Sequence, residues 1–398
     1  MPVRSPLPMV LVLLLSALSA LSAQEPAAPP SDEPVAEAAA GPKRAEYDRV
    51  FTEWKALLAE MRSLKLEYRT AEAARRTEIE KQYKLLIAKG DAMSPQLIQA
   101  ALEAYQEAPN TDDELTSFLT GLVNWKCITD DYEEALRLAK VLIENKVANQ
   151  PVFAWAALAA FTVGDLDAAE KYFKVAEEND SLRVLNSLPM EHQLREIPAA
   201  IDDFLAYYKE ARAKEQAIRA AEAEADDLPR VLLKTSQGEI EIELFENEAP
   251  NTVANFVSLV DKGYYDGLTF HRVLSGFMAQ GGCPDGTGGG GPGYNIPCEC
   301  YQPNHRLHFR GSLSMAKGLP RDTGGSQFFI NLVPTRHLDG KHTVFGRVIR
   351  GIDVTAKLQR RNSDPRVDPD PPTPDRILEA KVLRKRDHDY VPKKVGEN

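Results

Sequence analysis

Apolar residues recur at steps of three and four along the first half of the chain, and they alternate with polar ones along much of the second. Tyr47, Phe51, Trp54, Leu57, Leu58 and Met61 form one stripe in a stretch from Ala45 to about Lys89, the period of a helix that buries one face. Gly90-Asp91 closes that stretch on this reading. From Arg230 the period falls to two: Val231 and Leu233, then Ile240, Ile242 and Leu244, flank the turn Ser236-Gln237-Gly238 and predict a strand hairpin. A helix is expected over Ala249 to Lys262, with Val253, Phe256, Val257 and Val260 buried. Short strands between glycine turns then run to about Val382, consistent with a closed barrel. The last strand is expected at Ile377 to Leu383, after a proline-rich loop over 362–375. The fold class is therefore multidomain: an α-helical domain followed by an all-β-dominated one.

The helical half repeats itself. Asp131, Ala135, Lys140, Glu144 and Asn145 recur 34 residues on as Asp165, Ala169, Lys174, Glu178 and Asn179, and 34 is the period of tetratricopeptide helical hairpins. Two degenerate repeats are expected, Leu115 to Asn145 and Gln150 to Asn179. The glycine and tyrosine of the consensus are missing, which leaves a non-repeating helical bundle as the other reading. Stacked hairpins make concave binding surfaces, so the helical domain is a candidate seat for a protein partner, although Trp125, Phe153, Trp155 and Phe161 suit a core better than a groove. A last helix rich in Ala, Glu and Lys spans 201–225, and Asp226-Asp227-Leu228-Pro229 ends it.

The 398 residues accommodate two domains beyond a targeting segment. Residues 1–23 read as a signal peptide, with Arg4 before an apolar run of about 13 residues and Ser22-Ala23 as small residues for cleavage. Such a run is short for a membrane span of about 20 residues, so stable insertion is not expected once the signal is cleaved; an uncleaved N-terminal anchor is the alternative. Residues 24–44 read as a disordered Pro/Ala-rich linker, 45–226 as the helical domain, 230–387 as the barrel domain and 388–398 as a loose tail. A formal net charge of −11 argues against nucleic acid as a partner.

Five separated blocks carry the chemistry. They are Phe270-His271-Arg272 (FHR) and Gly276 to Gly282 (GFMAQGG), both within FHRVLSGFMAQGG, then Ser314-Met315-Ala316, Ser326-Gln327-Phe328-Phe329, and last Leu338 to Gly346, LDGKHTVFG. In their order and spacing these resemble the cyclophilin family of peptidyl-prolyl cis-trans isomerases, from about Val231 to about Arg386. The resemblance implies eight antiparallel strands with a helix covering each end. It implies Arg272 as the catalytic group and Phe277, Met278, Gln280, Ala316, Lys317, Gln327, Phe329, His337, Leu338 and His342 as the substrate-binding set. It further implies isomerisation of X-Pro bonds, and unfolded or proline-containing polypeptides as partners. With the export signal, the expected place of action is the periplasm or the extracellular space, and the expected role is to assist folding.

These residue types suit that reaction. An X-Pro bond interconverts over tens of seconds or more because amide resonance resists rotation, so the catalyst must bind the twisted amide better than either planar form. As the bond twists the proline nitrogen becomes basic, and a guanidinium aimed at it stabilises that state. No metal and no cofactor is required. Phe277, Met278, Phe329 and Leu338 would hold the proline ring, Gln280 and the backbone near Lys317 the preceding residue, and His342 the pocket wall, whereas Phe328 reads as core.

Three departures from the family stand out. His337 replaces a tryptophan that contacts cyclosporin, so weak binding of that drug is expected without loss of isomerase activity. Lys317 replaces an asparagine, a mild change where the backbone makes the contact. Cys283, Cys298 and Cys300 replace other residues. A bridge from Cys283 to Cys298 or Cys300 and a metal site from Cys298, Cys300, His305 and His308 both remain open. Gly286 to Gly291 satisfies G-x-G-x-x-G, but Pro292-Gly293 follows where a nucleotide-binding helix would have to start. Two other functional readings compete with the enzyme: a proline-segment binding module without turnover, and a holdase chaperone.

Overall fold

A computed structural model describes residues 41–189 and 191–397. The expected signal peptide and all but the last residues of the expected linker lie outside the described residues. Among the described residues no helix is long and apolar enough to cross a membrane. The chain gathers into two compact units, one running up to Trp125 and including Ala135–Val152, the other holding Lys126–Glu134 and everything from Phe153 onward.

In the first unit, α1 (Pro42–Thr70) buries the stripe read from the sequence, Tyr47, Phe51, Trp54, Leu57, Leu58 and Met61, together with Val50 and Leu64. Proline near the first turn fits a helix start, where its missing N–H has no intrahelical partner to lose. α2 (Ala73–Glu107) packs along α1. Gly90-Asp91 does not end a helix: the break falls earlier, at Ala71-Glu72, and α2 runs through both Gly90 and Pro95. The reason is tertiary. Gly90 is buried against Trp54 and Leu57 of α1, where even a Cβ would meet the indole at an ordinary contact distance of 3.5 Å, so packing on α1 carries the helix through the glycine. Along the chain four shorter helices follow, α3 (Asp113–Ile128), α4 (Tyr132–Glu144), α5 (Pro151–Val163) and α6 (Leu166–Glu178), of which α6 and most of α5 belong to the second unit, so each expected repeat falls on two helices. Asp165 caps α6, its side chain accepting from the Ala168 N–H at 3.3 Å.

The second unit is built on an antiparallel sheet. Its strands are β1 (Arg230–Thr235), β2 (Gly238–Leu244), β3 (Arg272–Leu274), β4 (Met278–Gly281), β5 (Ser312–Met315), β6 (Phe328–Asn331), β7 (Val344–Arg350) and β8 (Ile377–Arg384), in the order β3-β4-β6-β5-β7-β2-β1-β8. The two ends of that order meet through the segment before β3. Thr269 bridges to Arg376, the Phe270 N–H donates to the Asp375 carbonyl, and the Ile377 N–H donates to the Leu268 carbonyl. The alternation in β1 and β2 sends Val231, Leu233, Ile240, Ile242 and Leu244 inward, where they meet Phe256, Val257 and Val260 of α8 (Pro250–Asp261) and Val354 of α9 (Ile352–Lys357). Eight strands and two covering helices are thus the observed architecture.

α7 (Ile201–Ala225) belongs with this unit, as do α6 and most of α5, although the sequence places a boundary between 226 and 230. Charge explains the grouping. Arg306, 1 % exposed at its side chain, donates to Glu215 at 2.8 Å and to Glu222 at 2.5 Å, both on α7. Arg347 of β7 joins Glu222 at 2.8 Å and Glu243 at 2.6 Å. Burial pushes the Glu215 carboxyl up, but its bonds to Arg306 outweigh this and leave it below the ordinary range. Breaking one partner of such a set strands a buried charge, at about 3–5 kcal/mol.

The tail read as loose is tied down. Tyr390 is buried and donates to Glu246 at 3.0 Å, the Lys393 N–H donates to Asn251 at 2.7 Å, and the Val395 N–H donates to the Asn295 carbonyl at 2.9 Å. Its polar composition hides one aromatic anchor, which suffices to hold it on the barrel.

Candidate active site

Strand alternation sorts the residues of the five blocks. In β3 and β4, Val273 and Ala279 point into the barrel core, and in β6 so do Phe328 and Ile330. Their neighbours must then face the other way. The register sets Arg272 opposite Gln280, Gln280 opposite Phe329, and Phe329 opposite Ser314. One row across four strands therefore carries Arg272, Gln280 and Phe329 on the outer face, with Met278 beside them on the same side of β4.

The rest of the set closes around this row. The Arg272 guanidinium lies 5.9 Å from the centre of the Phe277 ring, and that ring lies 5.9 Å from His337. His337 and Leu338 form a 3₁₀ turn, and the His342 N–H donates to the Leu338 carbonyl at 3.2 Å. His342 meets the Phe329 ring edge-on at 5.6 Å, returning to the row. Gln280 donates to the side-chain oxygen of Gln327 at 2.9 Å, and Gln327 donates to the Gly288 and Gly290 carbonyls at 2.9 and 2.8 Å. The Ala316 N–H donates to the Gln327 carbonyl at 2.9 Å. Beside Gln280 opens a cleft of about 580 Å³ lined by Gly288 to Asn295, Ala316, Lys317, Thr323 and Gln327. The structure thus joins Arg272, Phe277 and His337, and Phe329 with His342, gathers Gln280, Ala316, Lys317 and Gln327 around the cleft, and sets Met278 on the same side of β4 and Leu338 in the turn that carries His337.

The electrostatics are simple. Burial alone lowers the Arg272 pKa, and no carboxylate neutralises it among the described residues. A guanidinium keeps its proton under such conditions, so the site holds an unneutralised positive charge with free donors. Burial lowers the pKa of His342, against a hydrogen bond to the Met315 carbonyl at 3.1 Å. Burial also lowers that of His308, against Asp339 at 2.8 Å. Both imidazoles are neutral walls at pH 7.

Several supporting roles escaped the sequence reading. His308 stacks on Phe329 with rings 6.0 Å apart, and Asp339 fixes it. The β3–β4 turn, Ser275-Gly276, is gripped from the segment between α3 and α4. Asp130, fully buried, accepts from the Gly276 N–H at 2.7 Å and from Arg360 at 2.6 Å, while the Ser275 hydroxyl donates to the Ile128 carbonyl at 2.7 Å. Behind Asp130 runs a relay: the Leu194 N–H donates to His192 Nδ1 at 3.2 Å, His192 Nε2 meets the Tyr132 hydroxyl at 3.1 Å, and that hydroxyl donates to Asp130 at 3.3 Å. Gly276 has φ +65°, and a Cβ there would collide with the His192 ring. The one sequence signal for this clamp was an acidic pair, Asp130-Asp131, between two helical patterns.

The cysteines depart from expectation. All four are free thiols. Cys283 lies 2.9 Å from the Asp285 carboxylate and accepts from the Gly288 and Gly290 N–H groups, so it does not bridge to Cys298 or Cys300; those two lie against each other. The four side chains Cys298, Cys300, His305 and His308 do not gather: His308 is taken by Asp339 and His305 by the Gln302 carbonyl, and no group of three metal-ligating side chains occurs among the described residues.

Residues 230–382 match the family described as cyclophilin type peptidyl-prolyl cis-trans isomerase/CLD. The chain is 54 % identical over 156 residues to a peptidyl-prolyl cis-trans isomerase of Synechococcus elongatus, covering 39 % of this chain and 97 % of that one. It is 58 % identical over 119 residues to peptidyl-prolyl cis-trans isomerase B of Bacillus subtilis, covering 30 % and 82 %. It is 54 % identical over 131 residues to the enzyme of Helicobacter pylori, covering 32 % and 78 %. A cyanobacterial isomerase thus aligns almost from end to end with the barrel that presents Arg272, and the chain belongs, through that barrel, to the cyclophilin-type peptidyl-prolyl cis-trans isomerases.

Proposed function

We propose that this isomerase acts on X-Pro bonds of exported polypeptides and assists their folding, with Arg272 as the group that stabilises the twisted amide. The single observation that carries the assignment is the unneutralised guanidinium held across the strand from Gln280 and beside the Phe277 ring. The proline ring enters the dip between Phe277, Met278, Phe329, Leu338 and His342. Gln280, Ala316 and Lys317 hold the residues before it along the cleft, and Gln327 positions Gln280. With one end of the amide held and the other free to rotate, a donor directed at the proline nitrogen lowers the barrier only where that nitrogen has become basic, which is differential binding of the transition state.

The export reading rests on residues 1–23, and the N-terminal helices are proposed as tetratricopeptide-like hairpins that seat a protein partner, supported by the recurrence after 34 residues. The test of the catalytic assignment is a proline-peptide exchange measurement on the full chain. Arg272→Ala is expected to lower kcat/KM by about 10²-fold, the usual loss on removing one transition-state donor, with the peptide still bound. A variant within about threefold of the parent, on the same scale, overturns the role given to Arg272. N-terminal sequencing of the protein recovered from its cells tests the export reading; an intact residue 1 on soluble material overturns it.

A further inference from the structure

Beside the cleft the segment Pro297 to Cys300 runs as an irregular strip, and its two thiols face each other. Cys298 Sγ and Cys300 Sγ are 2.9 Å apart, closer than two sulfurs in ordinary van der Waals contact. The strip is held on both sides of this contact. The Cys298 N–H donates to Asp322 at 2.7 Å, the Glu299 N–H donates to the Thr343 hydroxyl at 3.0 Å, and Glu299 accepts from the Asn251 and Thr252 N–H groups at 3.0 and 2.8 Å, capping α8. The two thiols are not equivalent. Cys300 is 1 % exposed, whereas Cys298 is part-exposed and lines a crevice with Met315, Lys317, Gly324 and Thr343. Lys317 also lines the substrate cleft. Burial, with the neighbouring Cys298, pushes the Cys300 thiol up to about 12, so the outer sulfur is the one available to attack. None of the isomerase chemistry uses either residue.

We propose that Cys298 and Cys300 form a thiol–disulfide exchange site, with Cys298 the entering nucleophile, Cys300 the resolving thiol, and a dialkyl disulfide the substrate. Cys298 loses its proton to solvent and its sulfur attacks one sulfur of the disulfide; a mixed disulfide forms and the first thiolate leaves, taking up a proton. Cys300 then loses its proton and attacks Cys298 Sγ, the second thiolate leaves and is protonated, and the pair ends as an intramolecular disulfide. Two thiols of the protein are oxidised and one disulfide is reduced to two thiols, so electrons and protons balance. The strip is irregular with a turn at Cys300, and Cα atoms two residues apart reach about 6–7 Å in an extended chain, the upper end of what a disulfide spans. The oxidised form is therefore strained and readily reduced again, the property of exchanging rather than structural disulfides.

The test uses the full chain and oxidised glutathione, with free thiols alkylated after quenching and located by peptide mass mapping. In the parent protein Cys298 and Cys300 are expected to lose alkylation together, with two hydrogens lost from the peptide that contains both and no glutathione retained. In Cys300→Ser a stable glutathione adduct is expected on Cys298. In Cys298→Ser, Cys300 is expected to stay a thiol and to react at least about tenfold more slowly than the parent pair, since only a thiolate attacks. Isomerase turnover of both variants within about twofold of the parent, well under one factor of ten, shows that the barrel is intact. Retained thiols at both positions in the parent protein, a persistent glutathione adduct there, or a bridge to Cys283 overturns the proposal.

Discussion

At the scale of single residues, side-chain direction rather than side-chain type separates site from core. Phe328 and Phe329 are adjacent and chemically identical; the first is in the barrel core and the second meets His308 and His342 on the outer face. His337 shows what one position decides. Its ring lies beside Phe277 at the exposed rim of the dip, where the family resemblance places a tryptophan that contacts cyclosporin. His337→Trp adds apolar area and an indole N–H donor at that rim. The variant is expected to bind cyclosporin at least about tenfold more tightly than the parent, about 1.4 kcal/mol, in a calorimetric titration, with peptide isomerisation little changed. Unchanged affinity would remove His337 as the reason for weak drug binding.

At the scale of elements, the β3–β4 hairpin is the part on which the site depends, and its turn is not self-supporting. Asp130 joins Gly276 and Arg360, and His192 and Tyr132 stand behind it. Asp130→Asn keeps the shape and removes the charge. One amide oxygen must then serve both the Gly276 N–H and the part-buried Arg360, leaving one of these two donors poorly paired, at about 1–3 kcal/mol. We expect a lower midpoint in urea denaturation by that amount and a several-fold fall in kcat/KM, of order 1 kcal/mol, because the hairpin carries both Arg272 and Phe277. If kcat/KM holds while stability falls, the clamp is structural only. The sequence reading gave only short strands between glycine turns in this region and did not single out this hairpin. The clamp was not legible either, because Asp130 and Gly276 are joined only by folding.

At the scale of the whole molecule, buried imidazoles set the response to acid. Burial is the largest cause that lowers the pKa of His192, His271, His308 and His342, His271 to about 4. The unfolded chain takes up protons at these histidines near pH 6.5 while the folded one does not. The stability these four contribute is therefore full above about pH 6.5 and is lost as pH falls below it, with His271 alone contributing about 3 kcal/mol by pH 4. Glu215, held below the ordinary carboxylate range, adds its own loss below about pH 4.5. Denaturation midpoints measured from pH 8 to pH 5 are expected to fall steadily below pH 6.5, whereas turnover of the folded enzyme stays flat, since Arg272 does not titrate there. A midpoint that stays level down to pH 5 would contradict this assignment of buried neutral histidines.

Local pattern alone determined the two kinds of secondary structure, the hairpin at 230–244 and the helix near 250–261, because periods of 3.6 and 2 are properties of neighbouring residues, whereas Arg272, Gln280 and Phe329 were singled out by the family resemblance of the spaced motif runs. Tertiary structure alone decided that Gly90 lies inside a helix, that the tail is pinned by Tyr390, that residues 126–134 and α7 gather with the barrel, and that Cys298 faces Cys300 rather than Cys283. All but the last rest on a contact between residues far apart in the chain, a ring packed against a glycine, a buried tyrosine meeting a carboxylate or a charge finding its counterion, and no local period records such a meeting.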